Sequence, residues 1–131
     1  SFHKIVRKFK TKKKKLLIIK EHTTKPGYLS QQYLSLKKKI KEFETFQVCQ
    51  YNPHMGLIPI EISDIFPAAH HESSRINYDP KEFTEFQKTW EDFFNKNKFL
   101  EIHYDKKDEF LKYFVKILPK EIKKQNLGKK N

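Results

Sequence analysis

The sequence predicts an α/β fold of three layers, a small, mainly parallel sheet flanked by helices on both faces, and three observations lead there. Leu16-Leu17-Ile18-Ile19 is a short apolar, partly β-branched run bounded by lysines, the pattern of a buried central strand. Tyr33, Leu36, Ile40 and Phe43 then step at helical spacing, leaving Lys37, Lys38, Lys39 and Lys41 mostly solvated. Phe46 to Tyr51 alternates and ends at Asn52-Pro53, which reads as a second strand followed by a loop. Strand, turn, helix and strand make a βαβ unit, whose two strands run parallel.

The remaining elements follow in order. Phe2, Ile5, Val6 and Phe9 recur at helical spacing and predict a short amphipathic helix. Lys12, Lys13, Lys14 and Lys15 are a charge run with two readings, a solvated loop or a turn that contacts phosphates. His22 to Gly27 is a turn by composition, tightest at Pro26-Gly27. Asp79-Pro80-Lys81-Glu82 starts a helix, with Asp as N-cap, Pro at the first helical position and Glu placed for a capping box. Its stripe of Phe83, Phe86, Trp90, Phe93 and Phe94 is assigned to the core rather than to a base-stacking platform. Phe99 to Tyr104 is a further strand, and Asp105 with Asp108 caps a helix striped by Phe110, Leu111, Phe114, Val115 and Leu118 and stopped by Pro119. Residues 1–119 therefore form one domain, and residues 120–131, with few apolar anchors, are expected as a flexible basic tail.

Between the second strand and the capped helix lies Gly56 to Glu72, the stretch expected to form the site. It holds two prolines and one of only three glycines, so its path is set by backbone chemistry rather than by periodicity. Ile60-Glu61-Ile62 alternates and is expected as a short edge strand; the plainer reading makes the whole stretch a loop that packs Leu57, Ile58 and Phe66 on the core. In open α/β sheets ligands sit at the carboxyl ends of strands, so the turn at Lys25-Pro26 and the loop from Asn52 are expected to share one crevice there.

Composition narrows the chemistry. Lys+Arg 28 against Asp+Glu 16 gives a net charge of +12. A polyanion, most commonly nucleic acid, is the expected partner, and a solvated lysine surface without a ligand is the alternative. The single Cys49 excludes an internal disulfide and a cysteine zinc set and fits a reducing cytoplasm. Leu16 to Ile19 is too short to span a bilayer and is no signal peptide, so no membrane partner is expected. His54, His70, His71 and Glu72 lack HExxH or HxH spacing, so no metal is expected. Ser63 or Ser73 with His70 and Asp64 could make a relay, but there is no nucleophile elbow. No Walker A or GxGxxG motif is present, so no nucleotide cofactor is expected.

The order strand, Lys-Pro turn with a following serine, helix, strand and then Gly-Leu-Ile-Pro-Ile-Glu-Ile…Phe-Pro-Ala-Ala-His resembles the central domain of the archaeosine synthase family, relatives of tRNA-guanine transglycosylase. That family's loop reads roughly Pro-Leu-Gly-x-Val-Pro-x-Glu-Leu-x-x-x-Tyr-Pro-Ala-x-x-Tyr, and Gly56, Pro59, Glu61, Phe66, Pro67, Ala68 and Ala69 fall in step with it. The resemblance runs from Phe2 to Leu118. The family's signature is Pro-Cys, three residues, Lys-Pro-Tyr, two residues, Ser, two residues, His. On this chain it meets Lys20-Glu21, Lys25-Pro26, Gly27, Ser30 and Tyr33, so spacing survives while the thiol and the imidazole do not.

The resemblance implies a tRNA-modification domain. In the family, lysine is added to the nitrile of a 7-cyano-7-deazaguanine base in tRNA; this copy, lacking both reactive groups, is expected to be an accessory, RNA-binding and non-catalytic relative. An active divergent enzyme is the alternative and needs Lys25, Ser30, Glu61 and His70 to converge on one pocket; a protein-interaction subunit is the second. Nucleic-acid contacts are expected from Lys12, Lys13, Lys14, Lys15, Lys25, Lys37 and Lys38. The transglycosylase-like barrel and the PUA domain of a complete synthase are not in this chain, so a partner subunit is expected to supply them.

Overall fold

The lysine-bounded run becomes β1 (Lys15–Lys20), and it lies at the centre of a five-stranded sheet. The computed structural model describes residues 8–20, 31–52, 56–65 and 80–127. After β1 come α1 (Gln31–Lys39), β2 (Phe46–Asn52), β3 (Gly56–Pro59), α2 (Pro80–Lys96), β4 (Glu101–Tyr104), α3 (Glu109–Lys116) and β5 (Lys123–Asn126). The strand order is β3-β2-β1-β4-β5. β2 and β4 run parallel to β1, β5 runs parallel to β4, and β3 alone is antiparallel, against β2.

Side-chain alternation along the strands sorts the core into two layers. Leu16, Ile18, Cys49, Tyr51, Ile102 and Tyr104 face α2 and α3, where Phe86, Trp90, Phe93, Phe110 and Phe114 fill the space in tilted and edge-on ring contacts. Leu17, Ile19, Phe46 and Val48 face the other way, onto Leu36 of α1 and Phe43. The aromatic stripe of α2 is therefore core, as its period predicts. α3 is fixed at its start by the Asp108 carboxylate, which accepts from the Leu111 N–H at 3.1 Å.

Three elements depart from expectation. The helix predicted through Phe43 stops at Lys39; Glu42 turns left-handed at φ 59°, and Phe43 reaches the core from a 3₁₀ turn, Phe43–Thr45. The edge strand is Gly56–Pro59, not residues 60–62. Pro59 has no N–H with which to extend the ladder, and Ile60–Ile65 winds as a 3₁₀ helix. Leu57 and Ile58 are buried, as the packing reading of this loop requires. Finally, residues 120–127, expected in the tail, hold Ile122 in the core and form β5 on β4. Several expectations lie outside the described residues: the helix from Phe2, the turn at His22 to Gly27, the segment from Ser73 to Asp79, and the side chain of Phe83.

Candidate nucleic-acid interface

Because every helix here returns the chain to the start of a strand, the helix C-termini and the amino ends of β1, β2, β4 and β5 form one edge of the molecule. Lysine concentrates on this amino edge: Lys12 to Lys15 lead into β1, Lys37 to Lys41 join α1 to β2, Lys96 and Lys98 join α2 to β4, and Lys116, Lys120 and Lys123 join α3 to β5. The opposing acids among the described residues are Glu42, Glu44, Glu101 and Glu121, with Glu61 beside Gln47 near the start of β2. One cation in a last helical turn complements the helix dipole by about 0.3–1 kcal/mol, which accounts for Lys39, Lys96 and Lys116. It does not account for Lys12 to Lys14, Lys98 or Lys120, which lie outside any helix. The carboxyl edge differs: among its described residues Lys20, Lys106 and Lys107 meet Asp105, Asp108 and Glu109 in near balance.

The run before β1 is held in place. Asn97, buried at the end of α2, accepts from the Thr11 N–H at 2.8 Å through its Oδ1, and its Nδ2 donates to the carbonyls of Phe9 at 3.1 Å and Phe93 at 3.0 Å. The Thr11 hydroxyl accepts from Lys13 N at 3.2 Å, and Leu100 N donates to the Lys14 carbonyl at 2.8 Å. Lys13 Nζ donates to the Phe46 carbonyl at 3.2 Å, and Lys15 Nζ sits 5.3 Å from the Phe46 ring centroid. Lys12 and Lys14 are thus exposed on a backbone whose ordering cost is met by folding, not by binding. Sequence reasoning missed Asn97. Its one local signal is an asparagine directly after a helix-ending lysine, while two of its three partners lie 86 and 88 residues away.

Glu101 is engaged internally, with His103 Nε2 at 2.7 Å from its Oε1. That bond, opposed by partial burial and helped by the charges of His103, Lys15 and Lys123, holds the Glu101 carboxyl below its usual range. His103 stands edge-on to Phe46 at 4.9 Å.

The expected nucleic-acid residues Lys12, Lys13, Lys14, Lys15, Lys37 and Lys38 all come to the amino edge. The expected catalytic set is not assembled among the described residues: Lys25, Ser30 and His70 lie outside them. Glu61 is exposed beside the edge of β2, where its two oxygens accept from Gln47 Nε2 at 2.8 and 3.1 Å. Gln47 is the second residue of β2 and lies about 13 Å before Tyr51 along the strand. Glu61 is therefore set back from the carboxyl ends where the crevice is expected.

Cys49 is fully buried, and burial first, the Glu61 carboxylate second, push its thiol well above the ordinary value. Tyr33, expected to stand where the synthase family has its histidine, is half-buried and edge-on to Phe43 at 5.3 Å; burial and then Glu61 raise its phenol. Both groups therefore stay protonated near neutral pH, and neither supplies an anionic nucleophile there. Among the described residues no group of three or more His, Cys, Asp or Glu side chains could hold a metal, and no helix is long and apolar enough to cross a membrane.

No family model matches the chain, and no curated protein does. The fold is similar to that in the crystal structure of AF0587, a protein of unknown function, with a TM-score of 0.68 at 13% identity. The likeness is one of fold alone. It covers 99% of this chain and 44% of that one, so the chain spans less than half of that protein's length.

Proposed function

We propose that the chain is an RNA-binding domain of tRNA modification, an accessory and non-catalytic relative of archaeosine synthase that acts in the cytoplasm beside a partner subunit supplying transglycosylase-like or PUA domains. The observation that carries the RNA-binding part is the amino edge, where pinned lysines exceed what the helix ends require while the described residues of the carboxyl edge are near balance. The match of Gly56, Pro59 and Glu61 to the synthase loop supports the tRNA context, and the inaccessible Cys49 supports the non-catalytic reading.

A tRNA titration tests it. For about six phosphate contacts, affinity is expected to fall roughly a thousandfold between about 50 and about 200 mM salt. Lys37→Glu with Lys38→Glu, both exposed on α1, is expected to weaken binding and to reduce the salt slope by about two. Lys106→Glu with Lys107→Glu, at the other edge, leaves affinity within about twofold. Equal losses from both pairs, or an affinity insensitive to salt, would defeat the assignment of the edge.

For activity, the purified chain incubated with lysine and tRNA bearing the cyano base is expected to yield no lysine adduct on digestion and mass analysis. An adduct that disappears in Lys25→Ala would instead establish the active enzyme.

A further inference from the structure

We infer that the amino edge engages double-helical RNA through its phosphates and does not take up single strands by base stacking. The inference rests on the RNA-binding reading and specifies its ligand. Single-strand binders combine a basic track with aromatic faces on which bases stack, each worth about 1–3 kcal/mol. Of the described aromatic rings near this edge, Phe9 is half-buried against Phe93 and Tyr113, one turn before Lys116, is 51% exposed, while the others are turned inward. Two rings on separate segments make no continuous track for successive bases. Phe43, Phe46 and Phe99 are buried; Phe99 lies parallel to Phe93 with centroids 5.9 Å apart, and Phe46 is covered by Lys15 and His103. The other large apolar side chains exposed there, Leu100 at 68% and Ile117 at 48%, are aliphatic and have no π-face.

The cations do suit a duplex. Lysine is a point charge that neutralises phosphate without the planar fork used to read a base. These lysines issue from separate αβ junctions across four parallel strands, a width of about 14 Å. The helices that end at this edge lie on both faces of the sheet, α1 on one and α2 and α3 on the other. The lysines are therefore placed across the sheet as well as along it, as two phosphate backbones on either side of a shallow minor groove demand.

The test measures the intact chain by fluorescence anisotropy against a mixed-sequence RNA duplex of about 16 base pairs, a scrambled duplex of the same length, and each separated strand. The two duplexes are expected to bind within about twofold of each other and about tenfold tighter than either strand at equal salt. Strands that bind as well as the duplex would overturn this inference and leave the RNA-binding reading standing. If neither form binds at low salt, the RNA-binding reading falls with it. Discrimination between the two duplexes beyond tenfold would also overturn it, because phosphate contacts carry no sequence information.

Discussion

Gly56→Ala is expected to lower stability by about 2–5 kcal/mol, two effects adding at one position. The backbone there has φ +90°, where an L side chain costs about 1–2 kcal/mol. A Cβ would also stand 2.7 Å from Thr89 Cγ2 and 3.2 Å from Thr89 Cβ on α2. Overpacking of this kind costs about 1–3 kcal/mol. Thr89 cannot swing aside freely, because it is buried and its hydroxyl donates to the Glu85 carbonyl at 3.1 Å. Against a net stability of about 5–15 kcal/mol the loss is large, and at this chain length it lowers Tm by about 10–20 °C. Adding Thr89→Ser keeps the hydroxyl, removes the methyl, and should return the steric part while leaving the backbone part. A thermal melt in which Gly56→Ala loses less than about 1 kcal/mol would show that the close approach of β3 to α2 is soft.

The second large effect belongs to the alkaline side of the pH profile. Tyr51 is buried near the end of β2, parallel to Phe110 at 6.0 Å, and its hydroxyl donates to the Asp108 carboxylate that caps α3. Burial first, then that hydrogen bond and the Asp108 and Asp105 charges, push its phenol far above the ordinary value near 10. The sign follows directly. Above about pH 10 the unfolded chain releases this proton and the folded chain keeps it. The unfolded state then binds fewer protons, and stability falls by about 1.4 kcal/mol per pH unit. Burial raises Tyr104 as well, adding a loss of the same sign. Below that range the contribution is fully present. In Tyr51→Phe it disappears: stability near neutral pH drops by about 1–3 kcal/mol as Asp108 loses a donor, and the alkaline slope flattens. Urea unfolding at several pH values, with Tyr113→Phe as an exposed control, measures both. An unchanged alkaline slope in Tyr51→Phe would sink the assignment.

How much was legible depended on whether an element carries its own signal. β1 and α3 were readable because an unbroken apolar run and a clean stripe each have one structural solution. Residues 60–62 alternate like a strand, but pairing is settled by register on β2, and Pro59 closes the ladder before they arrive. Lys123 to Asn126 contain no apolar residue, so nothing local marks a strand. They pair because Ile122 anchors one end in the core and Leu127 N bonds the Tyr104 carbonyl at 2.8 Å at the other. At the candidate interface the lysines were legible one by one. Their convergence was not, since it follows from the direction of three helices, and the pin at Asn97 depends on residues at the far end of the chain.

The two outer strands have a consequence for how this molecule meets others. β3 is four residues long, buried throughout, and ends in a proline that cannot extend its ladder. β5 is equally short and opens with two lysines, which repel a like strand and carry no apolar face to shelter one. Short margins that end in a proline or open with lysines disfavour recruitment by strand addition and the open-ended polymerisation that accompanies it, and leave helix faces, loops and charge as the surfaces for partners.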